Sequence, residues 1–559
     1  MKKRKTKLKL NKKNDEKVFT IFLIIFAVLS FSFYLISEIP TIVQGINNLN
    51  NPQVSKNDLI EISKDYIKKN NLIENIDSYK VTYAKLSSNM GFSILERTLG
   101  YKKAIDYMEL FKISSFTNAI RFFKENKLEE ITIYYEPELQ VIPRFNHYIP
   151  QNKEFSYQEI SKDNAKKIIY EFLKNNNITV DNLIENGYSN VFIQKRKDHI
   201  FTFKINSSEF NTEYGSSYLL LTTTVSGDKI SKLNYHLFVP EEFSRENTKN
   251  LGYGNLLSYL SLLATIIMFL IALVILIIRF KKKKIKWKFF LIFSSLCFIL
   301  LFISIINMIP GYTFNYPTDN SFFVYILSII TVSTIFIIIP CISIFVTGAA
   351  GESLAYITWK NKVNDLMDIS KKRFFSKNLK NSVLRGYLIA MLMLGIVTLI
   401  YLLGERFLGV WSMPGTETMF FTPSFFPFFD IFVISLISAA IIEEFTFRLF
   451  GISFFKKHIK STFLAALIPT IIWAVAHSNY PVFPIYFRAI ELIIVGLLFS
   501  YFFLRYNITT VIIAHYLFNT LLFGIPLLAS GNPLNILSII LILFLPLIIP
   551  IVSFIKKEK

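Results

Sequence analysis

The chain has little cysteine and little charge, two features on which many protein classes depend. Only two of its 559 residues are cysteine, Cys297 and Cys341, and both lie inside apolar runs. Two isolated thiols supply neither a disulfide framework nor a Cys-x-x-Cys metal site. Charged residues make up 18% of the chain, whereas soluble globular domains carry about 25%. The sequence therefore excludes a disulfide-rich scaffold and an ordinary soluble globule.

Long apolar runs dominate instead, and 52% of the residues are hydrophobic. A membrane-spanning helix needs about 20 mostly apolar residues. About ten runs approach that length: 18–37, 256–280, 289–309, 322–347, 386–404, 426–450, 462–478, 486–504, 508–528 and 534–555. We therefore predict a polytopic α-helical membrane protein with about ten transmembrane helices and the lipid bilayer as a partner.

The positive charge is grouped between the apolar runs, although the whole chain carries a net charge of +21. A nucleic-acid-binding protein spreads its basic residues over folded polar faces, so we predict no nucleic-acid partner. Lys and Arg concentrate in cytoplasmic loops of membrane proteins. The basic stretches fall on one side of the membrane if ten helices alternate: 2–9, 281–288, 371–373, 456–460 and 556–559. This predicts a multi-pass protein of the cell membrane with both termini in the cytoplasm.

A hydrophilic segment, 38–255, separates the first two apolar runs, and its two halves repeat the same order of predicted elements. In each half, 57–156 and 158–245, a helical stretch is followed by strand-like stretches and turns. We predict an extracytoplasmic α+β domain of two tandem modules, which either binds an envelope ligand or is a spacer without one. The other predicted boundaries are a basic N-terminus at 1–17, a first transmembrane helix at 18–37, three helices with a basic loop at 256–384, a helical bundle at 385–530, and a last helix with a basic tail at 531–559.

Polar side chains inside the apolar runs are rare and concentrated in the later runs. An ionisable residue there costs about 2.5–3.5 kcal/mol by insertion scales, so each marks a functional hypothesis. The first five runs contain essentially none apart from Lys and Arg at helix ends. The later runs contain Asp430, Glu443, Glu444, Arg448, His477, Arg488, Glu491, Arg505, His515 and Asn519. We therefore place any chemistry in the C-terminal third of the chain.

Two adjacent glutamates and an arginine share one of these runs. Glu444 and Arg448 are four residues apart, so they face the same side of a helix and can form an ion pair. Glu443 is rotated by about 100° from Glu444 and needs another partner. A carboxylate without a neutralising cation is a candidate general base. The alternative is that both glutamates only stabilise an interhelical salt bridge.

Two further pairs with the same spacing lie on later runs. Trp473 and His477 are four residues apart, and so are His515 and Asn519. Each histidine alone is consistent with packing, but glutamates, imidazoles and an amide from three helices together predict amide hydrolysis. Glu443 and His477 would hold and deprotonate a water, while His515 and Asn519 would donate hydrogen bonds to the oxyanion. Straight helices would separate Glu443 and His477 by about 10 Å in depth, whereas a kink or displacement of the short run that contains Pro469 would reduce this difference.

These residues resemble three motifs, EExxxR, FxxxH and HxxxN, of the CPBP family. The family comprises type 2 CAAX prenyl proteases and bacterial proteins related to bacteriocin processing and lysostaphin resistance. The resemblance covers about 385–530 and implies a CPBP-like helical bundle with intramembrane endopeptidase activity. By motif position it implies catalytic roles for Glu443, His477, His515 and Asn519, supported by Glu444 and Arg448. The chain departs from the family pattern at Trp473, which replaces Phe, and at Gly451, which follows the arginine later than usual.

The metal requirement and the biological role have alternatives. Glu443, His477 and His515 would also make a three-ligand zinc site, but the HExxH motif is absent, and we favour a reaction without a cofactor.

The rival to a protease is a non-proteolytic scaffold or sensor, or a bacteriocin-immunity-type protein, whose 38–255 domain binds an envelope ligand. Heavy use of Lys, Asn and Ile indicates an AT-rich bacterial genome. A peptide or membrane-protein substrate is therefore a better expectation than a prenylated one.

Overall fold

The protein has a helical membrane part and a sheet-containing part. The structure is a computed structural model that describes residues 2–39, 54–87, 89–113, 116–136, 139–150, 159–178, 181–193, 196–282, 285–359, 362–412, 423–529 and 532–555. Parts of two predicted basic stretches, 283–284 and 556–559, lie outside the described residues.

Among the described residues, eight helices are long and apolar enough to cross a membrane. Their apolar side chains are largely exposed: in Glu241–Lys281, only 22% of the most apolar stretch is buried within the protein. Exposed apolar surface of this extent marks contact with a membrane. The structure therefore confirms a polytopic α-helical membrane protein. The eight segments are Asp15–Ser37, Glu241–Lys281, Trp287–Phe314, Phe322–Trp359, Lys377–Leu408, Tyr486–Arg505, Ile508–Ile525 and Pro533–Ile555.

The other two predicted runs, 426–450 and 462–478, are helical but irregular or short. The first alternates between α-helical and π-helical turns along one continuous path. The second contains a helix of 14 residues. At 1.5 Å per residue this helix is about 21 Å long, which is less than the roughly 30 Å of a bilayer core. The predicted ten runs therefore comprise eight long helices and two that depart from a regular span. These two carry the paired glutamates and His477.

The helices are numbered in chain order. Those before the membrane bundle are α1 (Lys2–Ser37), α2 (Lys56–Lys69), α3 (Asn89–Leu99), α4 (Tyr101–Phe111) and α5 (Lys162–Asn175). The bundle contains α6 (Glu241–Lys281), α7 (Trp287–Asn307), α8 (Ile309–Phe314), α9 (Phe322–Trp359), α10 (Asn364–Ser370), α11 (Lys377–Leu408), α12 (Pro427–Val433), α13 (Ser453–His458), α14 (Thr462–Val475), α15 (Tyr486–Arg505), α16 (Ile508–Ala529), α17 (Pro533–Phe544) and α18 (Ile548–Ile555). Two π-helical segments, π1 (Ile434–Ile441) and π2 (Glu444–Ile452), lie between α12 and α13.

The segment between the first two spanning helices folds around an antiparallel sheet, and we call residues 54–240 the sheet domain. Its strands are β1 (Lys80–Ser87), β2 (Phe116–Phe123), β3 (Glu130–Glu136), β4 (Val141–Tyr148), β5 (Leu183–Ile193), β6 (Arg196–Ile205), β7 (Phe210–Thr212), β8 (Gly215–Ser226) and β9 (Lys229–Phe238). The strand order is β1-β2-β3-β4-β9-β8-β6-β5, and β7 pairs with β8. The predicted sheet-containing domain after the first helix is therefore confirmed.

Each half of the sheet domain supplies one amphipathic helix that packs on the sheet. Ser55 caps α2 in a reciprocal arrangement with Asp58, and Ser161 caps α5, which satisfies backbone N–H groups at both helix starts. The apolar faces of α2 and α5 share a core with the fully buried Phe145. The two halves join where β4 pairs with β9, with Phe145 opposite Leu233. The division into two tandem modules stays a prediction, as do the other domain boundaries.

Helix α6 connects the sheet domain to the membrane part without a break. It has 41 residues, so it is about 60 Å long and extends well beyond a bilayer core. Near its start, Phe243 is fully buried and its ring lies 6.1 Å from the ring of Trp411. Trp411 belongs to strand β10 (Trp411–Ser412), which pairs with β11 (Val482–Phe483). The start of α6 therefore packs against Trp411, whose strand pairs with the loop that follows His477.

Candidate active site

The two adjacent glutamates lie in the irregular helical path. Glu443 immediately precedes π2, and Glu444 is its first residue. π turns are rare and often occur at functional sites. Helix α9 packs closely against π2, because a Cβ atom on Gly351 would stand 2.9 Å from the backbone nitrogen of Phe450. Only a residue without a side chain permits this approach, which fixes the position of the segment that carries both glutamates.

Glu444 is the centre of a buried polar cluster. Its Oε1 accepts hydrogen bonds from Arg448 at 3.0 Å and from Nδ1 of His515 at 2.8 Å. Glu444 and Arg448 are both fully buried. The guanidinium of Arg448 lies 4.4 Å from the ring centroid of Trp473 and 5.5 Å from that of Phe499. The ion pair predicted from the four-residue spacing is therefore present, and aromatic rings surround its cation.

The carboxylate of Glu443 faces both site histidines. Nε2 of His477 lies 3.8 Å from Oε1, and Nε2 of His515 lies 3.9 Å from Oε2. The indole N–H of Trp473 donates a hydrogen bond to Oε2. About 20% of the Glu443 side chain is exposed, whereas that of Glu444 is completely buried. Glu443 is thus the accessible member of the pair, and it forms no ion pair with Arg448.

The hydrogen bonds at the far side of each ring determine the histidine tautomers. Nδ1 of His477 lies 2.9 Å from the backbone carbonyl oxygen of Trp473, and a carbonyl can only accept. Nδ1 of His515 lies against the carboxylate of Glu444, which also accepts. Both Nδ1 atoms therefore carry the hydrogen. In the neutral form, each Nε2 presents a lone pair towards Glu443.

His477 reaches Glu443 because α14 ends early. The helix stops at Val475, and His477 lies in the turn that follows. Helix α6 holds this turn: Ser258 donates a hydrogen bond to the carbonyl of Ala476 at 2.6 Å, and Ser261 donates to that of Ile472. A depth difference of about 10 Å was expected for a straight helix through this run, with a kinked or displaced run as the alternative. The straight-helix expectation was wrong, because the Nε2 atom lies within 3.8 Å of the glutamate.

Glycine and serine positions on one face of α6 explain how close the helix comes. A Cβ atom on Gly254 would stand 2.2 Å from the carbonyl oxygen of Ser478. Gly254, Ser258 and Ser261 are spaced by four and three residues, so they share one face of the helix. The helix that emerges from the sheet domain therefore supports the backbone on either side of His477.

Asn519 is less tightly connected than the other predicted site residues. It lies one turn after His515 on α16, and 8% of it is exposed. Within the part of the chain that the structure describes, its amide forms no hydrogen bond. The other five predicted residues, Glu443, Glu444, Arg448, His477 and His515, are joined by the contacts described above.

The donor atoms around Glu443 do not form a metal-ligand set as they stand. In the described ranges, no group of three or more His, Cys, Asp or Glu side chains is arranged to hold a metal ion. Oε2, the oxygen nearest His515, already accepts the indole N–H of Trp473.

A second charged pair lies beside the site, and the sequence analysis assigned it no role. Arg488 donates hydrogen bonds to Glu491 at 2.6 Å and to the hydroxyl of Tyr401 at 3.2 Å. Its guanidinium lies 5.3 Å from the ring centroid of Tyr480, and that ring lies 5.7 Å from the ring of His477. In the sequence, this pair is signalled only by two opposite charges, Arg488 and Glu491, three residues apart in an apolar run. Its proximity to His477 through Tyr480 is visible only in the structure.

Comparison with known proteins places the site residues in one family segment. Residues 425–521 match the family model described as type II CAAX prenyl endopeptidase Rce1-like. We call this segment, which is similar to that family, the Rce1-like segment. It contains all six predicted site residues, from Glu443 to Asn519. The family is a protease family, which supports an endopeptidase with a peptide or protein substrate in the membrane. The match agrees with the CPBP resemblance seen in the motifs.

The Rce1-like segment is a minor part of the chain. It leaves the sheet domain and helices α1 to α11 unmatched. No curated protein and no solved structure was found to be similar to the chain. The architecture around the Rce1-like segment must therefore be interpreted from its own contacts.

Proposed function

We propose that this protein is an intramembrane endopeptidase in which Glu443 activates a water molecule. The observation that carries the proposal is the convergence of two imidazole Nε2 atoms on the two oxygens of Glu443, at 3.8 and 3.9 Å. His477 comes from the turn that follows α14 and His515 comes from α16, and both lie in the Rce1-like segment. A glutamate that served only as an interhelical salt bridge would face the permanent cation of an arginine or lysine, whereas Glu443 faces two imidazoles and an indole donor.

The water is placed between Glu443 and His477. Oε1 and Nε2 are both acceptors and lie 3.8 Å apart, so one water can donate a hydrogen bond of about 2.8 Å to each. The water's lone pairs then point away from both groups, towards a peptide carbonyl carbon. Glu443 takes the proton as the C–O bond forms, and the carbonyl oxygen becomes the oxyanion.

Asn519 and His515 are assigned to the oxyanion. The Asn519 amide can donate directly, since it has no hydrogen bond within the described residues. His515 can donate through Nε2 only after its ring has taken up a proton from solvent before the reaction, and the Glu444 carboxylate on Nδ1 stabilises the resulting imidazolium. Loss of one such donor typically costs about 2.7–4 kcal/mol of transition-state stabilisation. Glu443 then passes its proton to the departing amine as the C–N bond breaks.

The remaining site residues hold the reacting side chains in position. Arg448 and Glu444 hold His515, and the Trp473 indole orients the Glu443 carboxylate. The proposed reaction uses no metal ion. Activity that survives chelation and dialysis supports this mechanism, and activity that is lost and then restored by zinc supports the zinc alternative at Glu443, His477 and His515.

We further propose that both termini lie in the cytoplasm and that the sheet domain lies on the opposite side of a cell membrane. The clustering of Lys and Arg supports this topology. A peptide or membrane-protein substrate and an envelope ligand of the sheet domain are proposed with it. Both native cysteines are buried, so a single cysteine introduced into the sheet domain can be labelled in intact cells with an impermeant reagent. Labelling only after cell lysis would contradict the topology.

The protease proposal is tested by comparing membrane peptidomes. Glu443→Ala and His477→Ala should each cause the same uncleaved precursor to accumulate, because each removes a group from the activated water. Glu405→Gln and His458→Ala change the same residue types at exposed positions and serve as matched controls. Unchanged peptides in both site variants would support the scaffold or sensor alternative instead.

A further inference from the structure

A polar cavity of about 660 Å³ lies between α1, α11 and the junction of α15 with α16. It is separate from the candidate active site, because none of the six site residues lines it. Its volume falls in the range of small-molecule pockets, roughly 300–1,000 Å³. The side chains that matter for its chemistry are Lys17, Arg385, Arg505, Asn381, Glu16 and Asp365.

Two arginines bring positive charge to this cavity. In the described part of the chain, neither Arg385 nor Arg505 forms an ion pair with a carboxylate. The guanidinium of Arg385 lies 4.3 Å from the ring centroid of Tyr506, and that of Arg505 lies 4.7 Å from the ring of Phe19. The rings orient the guanidinium groups while most of their N–H donors stay available. Planar N–H pairs of this kind match the oxygens of a phosphate.

The other charged groups at the cavity leave a small positive excess. Lys17 adds a third cation, and Glu16 and Asp365 are the two carboxylates that line the cavity. Asp365 already accepts a hydrogen bond from Ser382 within the protein. The cavity therefore carries one positive charge more than its carboxylates balance, which suits an anion with a single charge, such as a phosphodiester.

The cavity lies at the edge of the apolar zone. Lys17 is near the start of the spanning segment Asp15–Ser37, and Arg505 is the last residue of Tyr486–Arg505. One turn further into the membrane, Ile21 lines the cavity and is 57% exposed. An anion bound by the arginines would therefore have room for an attached hydrocarbon chain along the exposed apolar side of α1.

We propose that this cavity binds a phosphate group, in the form of an anionic phospholipid headgroup. The ligand would bridge α1, which supplies Lys17, to α11 and to the start of α16, the helix that carries His515. Binding would therefore stabilise the attachment of the first helix to the bundle. This inference does not depend on the proposed protease activity, since its measurements concern binding and thermal stability alone.

The test uses the delipidated full-length protein in a neutral detergent. It is titrated with dioleoyl-phosphatidylglycerol, with dioleoyl-phosphatidylcholine, or with inorganic phosphate, and bound lipid is counted by native mass spectrometry alongside the melting temperature. The double variant Arg385→Gln/Arg505→Gln removes both guanidinium groups. Arg406→Gln, an exposed arginine at the other end of α11, is the matched control.

We expect phosphatidylglycerol to bind and to raise the melting temperature of the wild type and of Arg406→Gln. The double variant should bind it at least about tenfold more weakly, because charge-assisted hydrogen bonds are lost. Equal binding by the double variant would overturn the proposal. Stabilisation by inorganic phosphate equal to that by the lipid would keep the phosphate site but overturn the lipid as its source. If the double variant does not fold, the test uses Lys17→Glu instead, because Lys17 is exposed. Unchanged lipid binding by Lys17→Glu would then overturn the proposal.

Discussion

The buried Glu444–Arg448 pair gives a quantitative prediction for folding. Arg448→Met removes the cation but leaves Glu444 fully buried, with only Nδ1 of His515 as a partner. Breaking a buried ion pair by removing one partner costs about 3–5 kcal/mol. Loss of the contacts of the guanidinium with Trp473 and Phe499 adds to this, since a desolvated cation–π contact contributes about 2 kcal/mol. Glu444→Gln alone should cost a similar amount, because it leaves Arg448 as the unpaired charge.

The double variant Arg448→Met/Glu444→Gln should be much less destabilised than the sum of the two single variants. It removes both charges, and residues in direct contact typically show coupling energies of about 0.5–3 kcal/mol. The assay is reversible unfolding by denaturant in mixed micelles. The exposed pair Glu241 and Arg245 has the same spacing on a helix and an N–O distance of 2.7 Å, so its cycle is the matched control. Exposed pairs contribute about 0–1 kcal/mol. Additive effects at the buried pair, no larger than at this control, would refute the reasoning.

Three further predictions concern the site itself. Ser258→Ala combined with Ser261→Ala should lower kcat by up to about thirtyfold with little change in KM, because two hydrogen bonds of about 1 kcal/mol each no longer hold the turn at His477. Ser328→Ala, on an exposed helix surface, should change neither kcat nor KM. Trp473→Phe should keep the fold but lower kcat by about tenfold or more, since a hydrogen bond to a charged group contributes about 1.5–3 kcal/mol, and an unchanged kcat would contradict its orienting role. Purified protein should retain full activity after chelation and dialysis, whereas loss that zinc reverses would contradict the metal-free reaction.

The sequence predicted the membrane class and the family segment because both depend on local patterns. Apolar runs of about 20 residues reflect the thickness of the bilayer core. The Glu444–Arg448 ion pair follows from their spacing on one helical turn. These features need no knowledge of distant contacts, and the structure and the family match agree with them.

The features that the sequence missed depend on contacts between distant parts of the chain. The early end of α14 and the π turns around Glu443 bring His477 to the glutamate. Hydrophobic periodicity predicts that a run is helical, but it does not predict where the helix ends or where π turns replace α-helical turns. Ser258 and Ser261 are ordinary small residues in an apolar run, and their role appears only when α6 is seen against the turn at His477. The joining of both halves of the sheet domain through β4 and β9 likewise depends on tertiary pairing.

The central claim, that Glu443 activates the attacking water, is tested most directly by the turnover of one accumulated precursor with purified protein. Glu443→Gln preserves the size of the side chain and its ability to accept from Trp473, but it cannot take a proton from water. General-base catalysis typically contributes about 10²- to 10⁴-fold. We therefore predict a loss of kcat in that range with KM changed by no more than a few fold. A kcat for Glu443→Gln within a few fold of the wild type would contradict the account.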